Sequence, residues 1–278
     1  EHVQRGGGVG AECSHGLIEM PPGGYGSVAG THRPPAISNS AESWSAAPPA
    51  ASRFSALKYS TSTSWISPAA RTSTVAGPVN TVEVRVRGTV DTTDLTGVLR
   101  GHRESVAPDC YLRATGPTRA DVALADLARS VNAADPLALA HALSAAVADA
   151  IAYRPGVTHA HTTAAEALAL GEGVCQDHAH ALIALAGVRG MPGRYVSGYL
   201  FADTDGLAHE AAHAWAELHL PSLGWVGFDP ANRCCPDDRY IRLGSGFDAQ
   251  DAAPIRGISR GGGHEAMDVT VAVLQTAQ

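Results

Sequence analysis

Three short segments of the chain carry residues whose types and spacing could do chemistry. The first, Gly171-Glu-Gly-Val-Cys-Gln-Asp-His-Ala-His180, sets Cys175 directly after a glycine turn and at the start of a stretch with helical periodicity. At a helix start the unsatisfied amide groups and the helix dipole favour an anionic sulfur, the form in which cysteine is a nucleophile. An arbitrary free cysteine is more often a small buried hydrophobe, and placement at a glycine-hinged helix start argues against that here. In the second segment, His213-Ala-Trp-Ala-Glu-Leu-His-Leu220, strand periodicity puts His213, Trp215, Glu217 and His219 on one face. Ala214, Ala216, Leu218 and Leu220 take the other. Alone, a strand histidine is usually a hydrogen-bonded structural residue. The third segment, Gly224-Trp-Val-Gly-Phe-Asp-Pro-Ala-Asn232, ends a short apolar strand in Asp229, which by itself reads as a turn starter before proline. Together the three supply a thiolate to attack a carbonyl, an imidazole to shuttle the proton, and a carboxylate to orient the imidazole and stabilise its cation. The expected catalytic residues are therefore Cys175, His213 and Asp229.

Such a site needs a helix start facing two neighbouring strands, and the flanking sequence provides both. Thr118 with Asp121 resembles a capping pair ahead of the stripe Val122, Leu124, Ala125, Leu127 and Ala128. Asp135-Pro136 reads as an N-cap with proline at the first helical position, and Leu137, Leu139, Ala140, Leu143 and Val147 continue that helix until Arg154-Pro155. Thr163 with Glu166 forms a capping box, Gly171 ends that short helix, and a longer one runs from Cys175 to about Arg189 with Gly190 as its stop. From Arg194 the pattern turns to strands, at 194–201, 212–220, 225–228 and 268–275. Helices first and antiparallel strands later make an α+β domain. Upstream, Val82, Val84 and Val86 alternate with charged residues as a half-buried strand does. Residues 1–78, rich in Pro, Gly, Ser, Ala and Thr and without hydrophobic periodicity, are expected to be mostly disordered.

Composition narrows the function. A net charge of -7 and a pI near 6.0 argue against nucleic-acid binding. Lys58 is the only lysine; the Ala-, Gly- and Arg-rich usage suggests a GC-rich, bacterial genome. Five scattered cysteines do not make a disulfide framework. No apolar run is long enough to span a membrane. The first residue is not Met, as in a fragment or processed product, and no apolar leader core is present, so the default compartment is the cytoplasm. A metal-binding alternative would draw on Cys175, His178 and His180, on His209 and His213, and on Cys234-Cys235. Against it, vicinal cysteines chelate one zinc poorly, His178 and His180 point to different helix faces, and His209 and His213 lie on no evident helix. No acidic loop with alternating oxygen ligands implies calcium.

The segments GVCQDHAH (173–180), HAW (213–215) and GW-x-x-FDP-x-N (224–232), in that order and linked by Gly190-Met-Pro-Gly-Arg-Tyr-Val-Ser-Gly-Tyr199, resemble the bacterial branch of the transglutaminase-like superfamily. The resemblance runs from about residue 80 to the C-terminal tail, where Arg242-Leu-Gly and Asp251-Ala-Ala-Pro-Ile-Arg-Gly257 also match. It implies a papain-like core of helices packed on an antiparallel sheet and a Cys-His-Asp site at Cys175, His213 and Asp229. Such bacterial proteins usually begin with a β-rich domain that residues 1–78 do not resemble. Residues 79–117 are expected to be its remnant and linker, and 118–278 the catalytic domain. The implied reaction is acyl transfer on a peptide or protein amide through an acyl-thioester, without a cofactor, metal, nucleic acid or membrane. Hydrolysis is favoured over transfer to an amine. The remaining alternative is an inactive binding module that keeps the fold.

Overall fold

The computed structural model describes residues 8–19, 25–29, 52–55, 72–75, 81–102, 106–201, 212–260, 266–269 and 271–275. The chain opens with strands β1 (Gly8–Glu19), β2 (Tyr25–Ala29), β3 (Ser52–Ser55), β4 (Thr72–Val75) and β5 (Thr81–Asp91). Helices α1 (Val122–Ser130), α2 (Pro136–Ala150), α3 (Ala164–Leu170) and α4 (Cys175–Val188) follow, with the two-residue strands β6 (Ala152–Tyr153) and β7 (Glu172–Gly173) between them. Then come β8 (Gly193–Leu200), β9 (Ala212–Leu220), β10 (Gly224–Phe228) and β11 (Tyr240–Gly246), and finally β12 (Gly257–Arg260), β13 (Ala266–Val269) and β14 (Ala272–Gln275). These elements fall into two compact units, Glu1–Thr92 with Leu200–Ala212 and Pro254–Gln278, and Thr93–Tyr199 with His213–Ala253.

In the first unit β1 pairs antiparallel with β5 along one edge, from Gly8↔Asp91 to Glu19↔Thr81, with an irregularity between Cys13 and Gly16. Its other edge takes β14 at Val9–Glu12 and β13 at Gly16–Glu19. β3 adds in parallel to β5, and β2 lies between β12 and β4. Strands β1 to β4 thus occupy parts of the segment expected to be disordered; the rest of that expectation lies outside the described residues. Composition reflects only local burial, whereas β1 takes its partners from β5 and from the C-terminal strands. The alternating valines fall in β5 as expected. The single strand expected at 268–275 is instead two strands on the same edge of β1.

The second unit holds the core. Asp121, rather than Thr118, caps α1 by accepting the Leu124 N–H at 2.9 Å, because the Thr118 hydroxyl is occupied by Thr115 at 3.0 Å. Asp135 caps α2 through the Ala138 N–H at 2.8 Å with Pro136 in the first turn. Thr163 and Glu166 close the capping box of α3, and Gly171 ends it at φ 71°, a left-handed conformation that suits glycine. Helix α4 is buried from Asp177 through Ala186, apolar nearly all round, because α1, α2 and α3 pack against it and its remaining side meets the sheet. Leu182 and Leu185 are wholly buried there, each contributing about 2 kcal/mol of apolar burial.

The sheet runs in the order β10-β9-β8-β11, with β9 and β10 antiparallel and Gly227 opposite Glu217. Ala214, Ala216, Leu218 and Leu220 of β9 enter the core, and Trp215 and Glu217 on its opposite face are buried too. Gly198 of β8 lets this happen: a Cβ there would collide with the Ile241 carbonyl and the Trp215 ring. The stretch 93–117 belongs to this unit, where Val98 bridges Val226 and Tyr111 packs edge-on against Trp225 at 5.2 Å.

Candidate active site

The nucleophile candidate sits where β7 hands over to α4. Val174 is extended (φ -111°) and offers no side-chain cap, so Asp177 in the first turn reaches back and accepts its N–H at 2.8 Å. The same carboxylate oxygen accepts the Thr158 hydroxyl at 2.6 Å, tying the 156–162 loop to the helix start. Gly173 leaves room for this carboxylate, since a Cβ there would lie 2.8 Å from Asp177 Cβ. Gln176 holds the same loop, its amide donating to the carbonyls of His159 and Ala160 at 3.4 and 3.3 Å. Cys175 itself remains partly exposed at the head of a helix whose next turns are buried.

His213 and Asp229 meet it from the sheet. His213 is the second residue of β9, and Asp229 follows the last residue of β10, on the neighbouring strand. Asp229 Oδ2 accepts from His213 Nε2 at 2.6 Å. Cys175 lies close enough to the imidazole to act on its charge. Because a carboxylate only accepts, Nε2 must carry a proton, and Nδ1 is the nitrogen left for sulfur. Burial alone would lower the His213 pKa, but the bond to Asp229 and the nearby Cys175 sulfur, with their charges, outweigh it and raise it to about 9. Asp229 is fully buried. Burial pushes its pKa up, yet His213, Asn232 and Tyr240 together hold it below the usual carboxylate value. The structure thus brings all three expected residues together, in the order cysteine, imidazole, carboxylate.

Two further residues hold Asp229. Asn232 donates its side-chain amide to Oδ2 at 2.7 Å and its backbone N–H to Oδ1 at 3.2 Å. Its 3.3 Å approach to His213 Nε2 brings two donors together over one acceptor and is not a hydrogen bond between them. Tyr240, the first residue of β11, donates its hydroxyl to Oδ2 at 2.8 Å. Asn232 stands three residues after an aspartate, a spacing visible in the sequence, whereas Tyr240 carries no such local signal because β11 reaches Asp229 only through the sheet.

The residues weighed as zinc ligands are otherwise engaged. His178 faces the Val174 and Ile151 carbonyls at 2.8 and 2.9 Å. His180 accepts the Ala249 N–H at 3.1 Å, and burial, opposed by Asp248, lowers its pKa to about 4. Burial also raises the Cys235 thiol to about 11, away from the anionic form zinc needs. Among the described residues no three His, Cys, Asp or Glu side chains gather as a metal site, and His209 lies outside them. No helix among the described residues is long and apolar enough to cross a membrane.

Residues 125–230, which include Cys175, His213 and Asp229, match the family model described as transglutaminase-like superfamily. The uncharacterized protein ML0607 of Mycobacterium leprae is 38% identical over 129 residues, covering 45% of this chain and 46% of that one. The uncharacterized protein Rv2569c of Mycobacterium tuberculosis is 41% identical over 115 residues, 38% of this chain and 37% of that one. The matched stretch therefore spans less than half the length of these relatives. A solved structure of a candidate cysteine protease from Cytophaga hutchinsonii covers 99% of this chain and 93% of its own, with a TM-score of 0.60 and 19% identity, a likeness of fold.

Proposed function

Since residues 125–230 form a domain of the transglutaminase-like superfamily, a family of cysteine-based peptidases and acyltransferases, we propose that this chain cleaves amide bonds in peptides or proteins through an acyl-thioester on Cys175. The observation that carries the proposal is His213, bonded to Asp229 at 2.6 Å and lying within interaction range of Cys175. Cys175 sulfur attacks the amide carbonyl, and a tetrahedral oxyanion forms. The N–H groups of the first turn of α4 that have no partner within the helix are the natural donors for that charge. The protonated imidazole gives its Nδ1 proton to the leaving amine as the C–N bond breaks, leaving the acyl group on sulfur. Water then attacks the thioester, His213 takes its proton, the C–S bond breaks, and a carboxylic acid departs. Asp229 holds Nε2 throughout and offsets the positive charge of the ring.

Transfer of the acyl group to an amine would share every step up to the thioester. Hydrolysis is the reading preferred here because it needs only water at a partly exposed sulfur and base, whereas an amine would need its own binding site. The test is a peptide library incubated with the protein, quenched in acid and examined by mass spectrometry. An acyl adduct on Cys175, cleaved by hydroxylamine and absent from Cys175→Ala, supports the mechanism. Oxygen-18 from labelled water in the released acid identifies hydrolysis; products joined to an added amine identify transfer instead. A library that yields no adduct, with Cys175 inert to iodoacetamide, would leave a binding module that keeps the fold.

A further inference from the structure

Asp229 is bound to more than His213, and the direction of each bond is fixed by chemistry. Three donors converge on Oδ2: His213 at 2.6 Å, Asn232 at 2.7 Å and the Tyr240 hydroxyl at 2.8 Å. A carboxylate only accepts, so Tyr240 must donate its single proton to Asp229. That leaves its oxygen as acceptor for the contact with Cys234 Sγ at 3.3 Å, and the thiol must be the donor there. The chain therefore runs from the Cys234 thiol to the Tyr240 hydroxyl, from there to Asp229 Oδ2, and Oδ2 also receives the His213 Nε2 proton. Neither outer member is disposed to lose its proton. Burial and the nearby Asp229 charge hold the Tyr240 hydroxyl far above its ordinary pKa, and burial raises that of Cys234.

From this geometry we infer that Tyr240 is a positioning residue of the site, one that fixes Asp229 Oδ2 on His213 Nε2 and so keeps Nδ1 turned to Cys175, with Cys234 completing the chain behind it. The inference rests on the proposed Cys175–His213–Asp229 site and adds to it a fourth residue from a strand outside the matched segment. A packing role alone would need only the ring. That ring meets Trp215 edge-on with centroids 5.4 Å apart and His213 at 5.8 Å. Phenylalanine would keep both contacts and lose only the hydroxyl, so Tyr240→Phe separates the two roles.

The expected direction follows from the groups around the imidazole. His213 is faced by Cys175 from α4, Asp229 at the end of β10 and Tyr240 from β11; behind these, Asp237 and Arg239 act on Cys234. The Tyr240 proton partly neutralises Oδ2. Without it Asp229 is the stronger base, holds the imidazolium proton more tightly, and raises the midpoint at which His213 titrates.

The experiment follows His213 by proton–nitrogen NMR across pH in the full chain and in Tyr240→Phe, with iodoacetamide alkylation of Cys175 measured in parallel. The His213 midpoint should rise by about 0.5–1 unit in Tyr240→Phe, with Cys175 alkylated in both proteins. An unchanged midpoint in a folded Tyr240→Phe overturns the inference, while alkylation of wild-type Cys175 leaves the proposed function standing. Wild-type Cys175 that reacts no faster than exposed Cys110 would remove the proposed function and the inference with it. If Tyr240→Phe does not fold, Cys234→Ala takes its place: stripping the thiol makes Tyr240 a weaker donor and should move the midpoint the same way by a smaller amount. No shift in that variant overturns the chain.

Discussion

Two buried carboxylates on neighbouring strands of one sheet are held in contrasting ways. Glu217 of β9 receives Arg194 Nε at 2.6 Å and Arg242 through Nε at 2.7 Å and Nη2 at 3.1 Å. Arg194 is itself fully buried, its guanidinium 4.0 Å above the Trp225 ring. Burial pushes the Glu217 pKa up, but the two guanidinium charges overcome it and hold it at about 2. Asp229 is buried as deeply, yet its partners are an imidazole, an amide and a phenol. The guanidinium groups keep their protons at any working pH, so Glu217 is locked as a strut between β8, β9 and β11. Imidazole can exchange its proton, so the same degree of burial around Asp229 supports chemistry instead. Burial makes each carboxylate costly to leave unpaired; the partner decides whether it is structural or reactive.

The largest effect should come from the reactive side. Cys175→Ala and His213→Ala should each lower turnover at least about 10⁴-fold with the fold retained by circular dichroism. Substantial turnover in either variant would take the comparison apart. On the other side, Glu217→Gln leaves the buried Arg194 and the partly buried Arg242 facing a neutral amide and should cost about 3–5 kcal/mol in urea unfolding at pH 7. Iodoacetamide should still alkylate Cys175 in the folded Glu217→Gln protein at near the wild-type rate.

Acid should reproduce part of that loss without mutation. The folded pKa of Glu217, about 2, lies below its ordinary 4.5, so its contribution is complete above about 4.5 and is lost as pH falls toward 2. Up to about 3 kcal/mol should disappear across that window, read as a fall in the urea midpoint. Glu217→Gln should show a shallower acid slope.

Asp229→Asn should be milder than His213→Ala, lowering kcat about 10–100-fold with little change in KM, because papain-like sites work with an asparagine in this role. An Asp229→Asn protein equal to wild type in both parameters would reduce Asp229 to a turn residue. The smallest expected signal is in the pH profile. His213, raised to about 9, stays protonated through neutrality, so activity should decline only as pH rises past about 9. A decline centred near 6.5 would show that the imidazole is not gripped as the geometry has it.

The sequence by itself determined most of what depends on neighbours along the chain. The caps at Asp135 and Thr163, the left-handed stop at Gly171, the helix start at Cys175 and the alternation that became β9 are each governed by hydrogen bonds or periodicity within a few residues. The three chemical segments were legible for the same reason, since a glycine turn before cysteine and an aspartate closing an apolar strand are local patterns. Only the tertiary structure decided which distant residues would share a carboxylate. Arg194 and Arg242 lie 23 and 25 residues from Glu217, and Tyr240 lies 11 residues beyond Asp229, on a strand that reaches the site by pairing with β8. The pairing of β1 with β5 and with the C-terminal strands was hidden for that reason too. Strand pairing joins residues whose separation in sequence leaves no periodic trace, so their partners are set by the sheet and not by the segment that carries them.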